Sequence, residues 1–142
     1  MRKIFMNESI TLSFLAILFS LVLTFAAFTE DKEEKKMLEE DIIKTSAGEL
    51  KITFIGHGTL MFAFGDKIIH IDPVSREADY TRMPKADLIL VTHEHGDHLD
   101  PKAIKVIRQE KTEMVLTEIC AKEVKGGIVM KNGDVKTVMG LK

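Results

Sequence analysis

Thr92-His93-Glu94-His95-Gly96-Asp97-His98 is the stretch of this chain whose side chains could do chemistry. Imidazole nitrogens and a carboxylate suit a divalent ion of the zinc, manganese or iron type. His93 and His95 are two apart and can chelate one ion from one side of a loop. Asp97 and His98 then point toward a neighbouring position, so the spacing suggests a pair of metals rather than one. A solvated turn that merely happens to be rich in histidine is the plain alternative. Ligand-type residues at this density rarely serve a structural turn.

The cluster needs an element to hold it. The apolar run Asp87-Leu88-Ile89-Leu90-Val91 precedes it directly and reads as a buried strand, which puts the cluster on the loop at the strand's end. Upstream, Asp41 to Ser46 and Glu49 to Ile55 are expected to form a hairpin around Ala47-Gly48. A second hairpin is expected from Thr59 to Phe64 and Lys67 to Ile71 around Gly65-Asp66. In its second strand Ile69 and Ile71 share one face, while His70 and Asp72 share the other. Ser75 to Met83 reads as an irregular or short helical crossing. Asp100-Pro101 reads as a helix N-cap with proline at the first helical position, and Ala103, Ile104 and Ile107 fall on one face of that helix. A strand from Met114 to Thr117 and a short helix from Glu118 to Lys125 follow. Ile128 to Met130 and Val135 to Met139 read as a last hairpin around the Asn132-Gly133 turn. Hairpins followed by strand–helix alternation give an α+β fold, a mixed and largely antiparallel sheet with helices on one face.

His-x-His-x-Asp-His after a strand resembles the signature of the metallo-β-lactamase fold superfamily. Ile55-Gly56-His57-Gly58-Thr59, Ile71-Asp72-Pro73-Val74 and Lys85-Ala86-Asp87-Leu88-Ile89-Leu90 are similar to its branch of metal-dependent hydrolases. That branch includes ascorbate-6-phosphate lactonase-like proteins and the phospholipase D that acts on N-acyl phosphatidylethanolamine. The similarity covers roughly residues 41 to 142. It implies one sheet-plus-helices half of an αββα sandwich. It implies that His93 and His95 bind a first metal and that Asp97 and His98 bind a second, the ions being Zn²⁺, with Mn²⁺ or Fe²⁺ as alternatives. Asp72 would support the metal loop from behind its ligands, and His57 would lie near the site mouth. The implied reaction is hydrolysis of a small ester, lactone or phosphodiester by a metal-activated water, with Asp97 orienting the nucleophile and His57 bonding substrate or leaving group.

The family completes its site with a later histidine, a bridging aspartate and a last histidine. This chain has five histidines, and none follows His98. The later aspartates are Asp100 and Asp134, the one a helix cap and the other in a turn, and neither reads as a bridging ligand. The expectation is therefore the first half of a longer protein, whose remaining half supplies the missing ligands and the second sheet. A non-catalytic truncated product, or a metal-binding half that needs a partner chain, is the rival reading. Between His57 as a site residue and His57 as a turn residue the sequence leaves the choice open. His70, on a strand face, reads as structural.

Composition bounds the rest. At 142 residues the chain allows one domain at most. A net charge of −2, no tryptophan and no basic stripe exclude a nucleic-acid footprint. Residues 10 to 28 carry no charge and follow Arg2 and Lys3, a signal-peptide pattern with Thr24 and Ala26 at the −3 and −1 positions of a cleavage site. The expectation is export, to a periplasm. An uncleaved anchor over residues 10 to 28 is the alternative and would be the only membrane contact. Residues 29 to 40 read as a charged, solvated linker and residues 41 to 142 as the partial domain. Cys120 is the only cysteine and reads as a buried, inert thiol.

Overall fold

The computed structural model describes residues 38–142. The expected leader over residues 1 to 28 and most of the linker lie outside the described residues. Seven strands form one sheet in strictly sequential order. They are β1 (Glu39–Thr45), β2 (Gly48–Gly56), β3 (Thr59–Phe64), β4 (Lys67–Ile71), β5 (Leu88–Val91), β6 (Glu113–Leu116) and β7 (Ile128–Val129). A 3₁₀ turn (Tyr80–Arg82) precedes β5, helix α1 (Pro101–Ile107) joins β5 to β6, and helix α2 (Cys120–Glu123) joins β6 to β7. Among the described residues no helix is long and apolar enough to cross a membrane.

The first four strands pair antiparallel through tight turns. Gly48 at φ +128° and Gly65 at φ +61° supply the backbone conformations that these turns require and that other residues rarely adopt. The last four strands pair parallel, β4 with β5, β5 with β6 and β6 with β7. Parallel neighbours need a crossover, and each crossover lays helical or looped chain over the sheet. The sheet is thus mixed, as expected, with the longer ladders on its antiparallel side and the shorter ones on its parallel side. The expected last hairpin does not form. β7 returns parallel to β6 after α2, and Val135 to Met139 contributes only a bridge between Val138 and Leu141. The turn itself does form, with the Lys131 amide donating to Asp134 Oδ2 and the Asp134 amide to the Lys131 carbonyl. β1 begins at Glu39, two residues inside the expected linker.

One face of the sheet carries Ile89, Val91, Met114 and Leu116, which pack against Leu99, Ala103, Ile104, Ile107 and Cys120. Full burial of an aliphatic side chain of this size stabilises by about 1.5–3 kcal/mol. Helix α1 starts where expected. Asp100 Oδ1 accepts from the amides of Lys102 and Ala103, and its Oδ2 accepts from the Ser75 amide. The opposite face aligns Leu50, Ile52, Leu60, Phe62, Ile71, Leu90 and Val115 by register, and these are only half-buried.

Candidate metal centre

The site forms at one rim of the sheet. β4 and β5 run parallel, so their carboxyl ends, Asp72 and Thr92, emerge side by side, and the Asp72 amide donates to the Leu90 carbonyl. Open sheets place their sites outside the carboxyl ends of parallel strands. β3 runs antiparallel to β4, so its beginning lies at the same rim, with Leu60 opposite Ile71. The β2–β3 turn, Gly56-His57-Gly58, therefore arrives beside the metal loop. Thr59 ties it down, its buried hydroxyl donating to the Asp72 carbonyl at 2.7 Å.

Asp72 is 2 % exposed and organises the loop from behind. Its Oδ1 accepts from the Thr92 amide at 2.7 Å. Its Oδ2 accepts from the Thr92 hydroxyl at 2.6 Å and from His98 Nδ1 at 2.8 Å. With Nδ1 donating, His98 turns its Nε2 lone pair outward. A carboxylate behind a histidine in this way fixes the tautomer of a metal ligand and raises its basicity. The His95 carbonyl accepts from the amides of His98 and Leu99, a turn that throws Asp97 and His98 back toward the rim.

Asp97 Oδ2 lies 3.0 Å from His57 Nε2 and 3.9 Å from His98 Nε2. One ligand atom from each of His57, Asp97 and His98 falls within 4.8 Å of the others. Ligands of one zinc-type ion, each about 2 Å from it, lie roughly 3–4 Å apart. Two imidazoles and a carboxylate are also the right donor chemistry, so the residues fit a divalent ion. Hydrogen bonding within its own backbone holds the Asp97 carboxyl below the usual carboxylate range, with His98 and His57 adding to that effect. His93 stacks on the cluster, its ring centroid 3.9 Å from that of His98, and His95 meets it edge-on at 4.8 Å.

A family model described as a beta-lactamase superfamily domain matches residues 51–139. The chain belongs to that family. It is 34 % identical over 93 residues to a UPF0173 metal-dependent hydrolase of Thermococcus kodakarensis, an overlap of 63 % of this chain and 39 % of the relative. It is 36 % identical over 81 residues to one of Pelotomaculum thermopropionicum, covering 51 % of this chain and 35 % of the relative. A crystal structure from Parabacteroides distasonis, provisionally described as a metal-dependent hydrolase, superposes with a TM-score of 0.70 at 51 % identity. That overlap takes in 72 % of this chain and 47 % of the other. The chain thus spans between a third and a half of the length of these relatives. The superfamily resemblance read from the histidine motif is shown, and the family is one of metal-dependent hydrolases that use a divalent metal.

Within this family member the structure brings His57 to Asp97 and His98, across the sheet from its own place in sequence. Its backbone is left-handed, φ +50°, an uncommon conformation for a residue with a side chain. Gly58 lets it approach: a Cβ there would stand 2.8 Å from His98 Cε1. Asp72 also has a left-handed backbone, φ +46°. His70 is not among the clustered residues. It is fully buried, with Nε2 on the Pro84 carbonyl at 3.1 Å and its ring against Tyr80. Asp134 lies in its turn and Asp100 in its cap. Cys120 is buried beneath the Thr117 hydroxyl. Sequence reasoning passed over Thr92 and Gly58. The first carried a signal in its place between the strand and the first histidine, the second in its place beside His57.

Proposed function

We propose that this chain carries the metal-binding portion of a hydrolase that cleaves an ester, lactone or phosphodiester. The observation that carries this reading is the convergence of His57, Asp97 and His98 at one rim, with Asp72 behind His98. His57, Asp97 and His98 would hold one ion, and His93 with His95 would serve a second; Zn²⁺ suits this nitrogen and oxygen set, as do Mn²⁺ and Fe²⁺. A divalent ion held there supplies Lewis acidity toward water and toward the scissile carbonyl or phosphoryl group. Asp72 keeps His98 in one tautomer. Asp97, between His57 and His98, orients the attacking water through its second oxygen. His57 is half in solvent at the mouth and is placed to hydrogen-bond the substrate or its leaving group.

The half-buried apolar face supports a second sheet above it, supplied by more of the same polypeptide, which would complete an αββα sandwich. It equally supports the rival reading, a metal-binding half completed by a partner chain. Export through residues 1 to 28 belongs to the same proposal. The test is zinc stoichiometry by elemental analysis, with turnover of a lactone and a phosphodiester panel, on the chain and on His98→Ala. Loss of zinc in His98→Ala is expected. Equal zinc in both proteins would sink the assignment. Metal-dependent turnover by the 142-residue chain as a monomer would show that it needs no further half.

A further inference from the structure

The Thr92 hydroxyl stands between Asp72 and His93, 2.6 Å from Asp72 Oδ2 and 3.0 Å from His93 Nδ1. A threonine hydroxyl has a single hydrogen to donate and lone pairs to accept with. An ionised carboxylate can only accept, so the hydroxyl hydrogen points at Asp72. The contact with His93 must then run the other way, Nδ1–H donating to the hydroxyl oxygen. His93 is thereby fixed in the same tautomer as His98, with Nδ1 protonated and the Nε2 lone pair free.

We propose that Thr92 is a positioning residue that extends Asp72 to a second histidine. One buried carboxylate then sets two rings, His98 directly and His93 through a hydroxyl. The two ring centroids are 3.9 Å apart and inclined by 41°, so fixing one without the other would leave the pair free to misalign. The Thr92 amide on Asp72 Oδ1 makes a third arm and holds the backbone from which His93 departs. Asp72 uses both oxygens: one takes the amide, the other takes the hydroxyl and His98. The ring of His95, by contrast, has only the edge of His93 against it among these rings. Valine has the shape of threonine without the hydroxyl. It would strip His93 Nδ1 of its acceptor while leaving the His98 arm whole. Serine would keep both arms. The consequence for metal binding rests on the proposed role of His93 as a ligand; the tautomer itself does not.

The experiment uses the full 142-residue chain, labelled with ¹⁵N at histidine, at about pH 8.5, above the ordinary imidazole range. Imidazole ¹⁵N shifts report the tautomer of each ring, and Zn²⁺ titration reports affinity. In the metal-free native chain His93 and His98 should both show a protonated Nδ1. In Thr92→Val, His93 should become a tautomer mixture and His98 should not change. Zinc affinity should fall about 10–100-fold, the range for losing an outer partner of a metal ligand. Thr92→Ser should restore both readouts. Should Thr92→Val fail to fold, Thr92→Ala makes the same comparison. An unchanged His93 tautomer in these variants overturns the proposal, as does an equal disturbance of His98, which would mark a merely structural role. A shifted His93 tautomer with unchanged zinc affinity upholds the hydrogen-bond relay and instead removes His93 from the metal ligands.

Discussion

The two halves of the sheet are built differently, and the difference locates both the stability and the site. From β1 to β4 the strands are antiparallel and joined by turns of two residues, so nothing need cross the face. Every residue of β1 is exposed, Ile42 at 60 %. From β4 to β7 the strands are parallel, and their crossovers bring α1 and α2 onto the sheet. The buried cluster draws all its members from Tyr80 to Val124, within or beside that half. Crossovers cover the parallel half, while in the hairpin half burial is confined to Thr53, Ile55 and Thr59 toward the site rim and to β4. β4 belongs to both halves. The rim at its carboxyl end is where a hairpin turn can meet a strand-to-helix loop, and His57 meets Asp97 there.

The largest effect that could break this contrast is loss of core volume. Ile104→Ala, at a position 2 % exposed, should cost about 2–5 kcal/mol, whereas Ile42→Ala in β1 should stay within about 0.5 kcal/mol. Urea unfolding of both variants decides it, and similar midpoint shifts would mean that β1 shares in the core. Gly58→Ala addresses the meeting of the halves. Its new methyl would push the His98 ring off Asp72, and zinc affinity should fall about 10–100-fold while far-ultraviolet dichroism stays native. Unaltered affinity would separate the hairpin turn from the metal loop. Asp100→Ala removes the cap of α1 and the acceptor for Ser75, and about 1 kcal/mol should be lost on denaturation, with zinc binding kept.

The smallest effect sharpens the contrast on β4 itself, where His70 is structural and its neighbour two residues on is not. Burial holds the His70 imidazole below its ordinary value, with the Pro84 carbonyl pulling the other way. As pH falls, the unfolded chain takes up this proton first. The stability tied to His70 is intact above the unfolded value of about 6.5 and is lost progressively below it, toward the lowered folded-state value. Among the described residues Nδ1 has no hydrogen-bonding partner, so nothing at that nitrogen favours the charged form. His70→Gln should accordingly lose less of its thermal midpoint than the native chain between about pH 7.5 and pH 5.5. Parallel loss in the two proteins would place the acid sensitivity elsewhere. Tyr80, whose ring packs against His70, has its hydroxyl pushed up to about 12 by burial and stays neutral throughout that range.

What the sequence determined alone is what near neighbours determine. Gly48, Gly65 and the alternation around them set the hairpins, Asp100-Pro101 set the start of α1, and the apolar run before Thr92 set the strand that presents the histidines. The motif residues stood out because type and spacing carry metal chemistry in a line of text, whereas Asp72 stood out only through the family resemblance. The tertiary structure decided the rest. Asn132-Gly133 makes its turn, yet no strand follows it to pair with β7, which is joined only to β6 and in parallel. Whether His57 was a turn residue or part of the cluster depended on the direction of β3 against β4, since only an antiparallel neighbour begins where β4 ends. The hydroxyl of Thr92 acquires its place from two strands in register. Local conformation is a matter of a few dihedral angles and is written in adjacent residues, whereas a site is made of distances across strands, and those are fixed only when the ladders close.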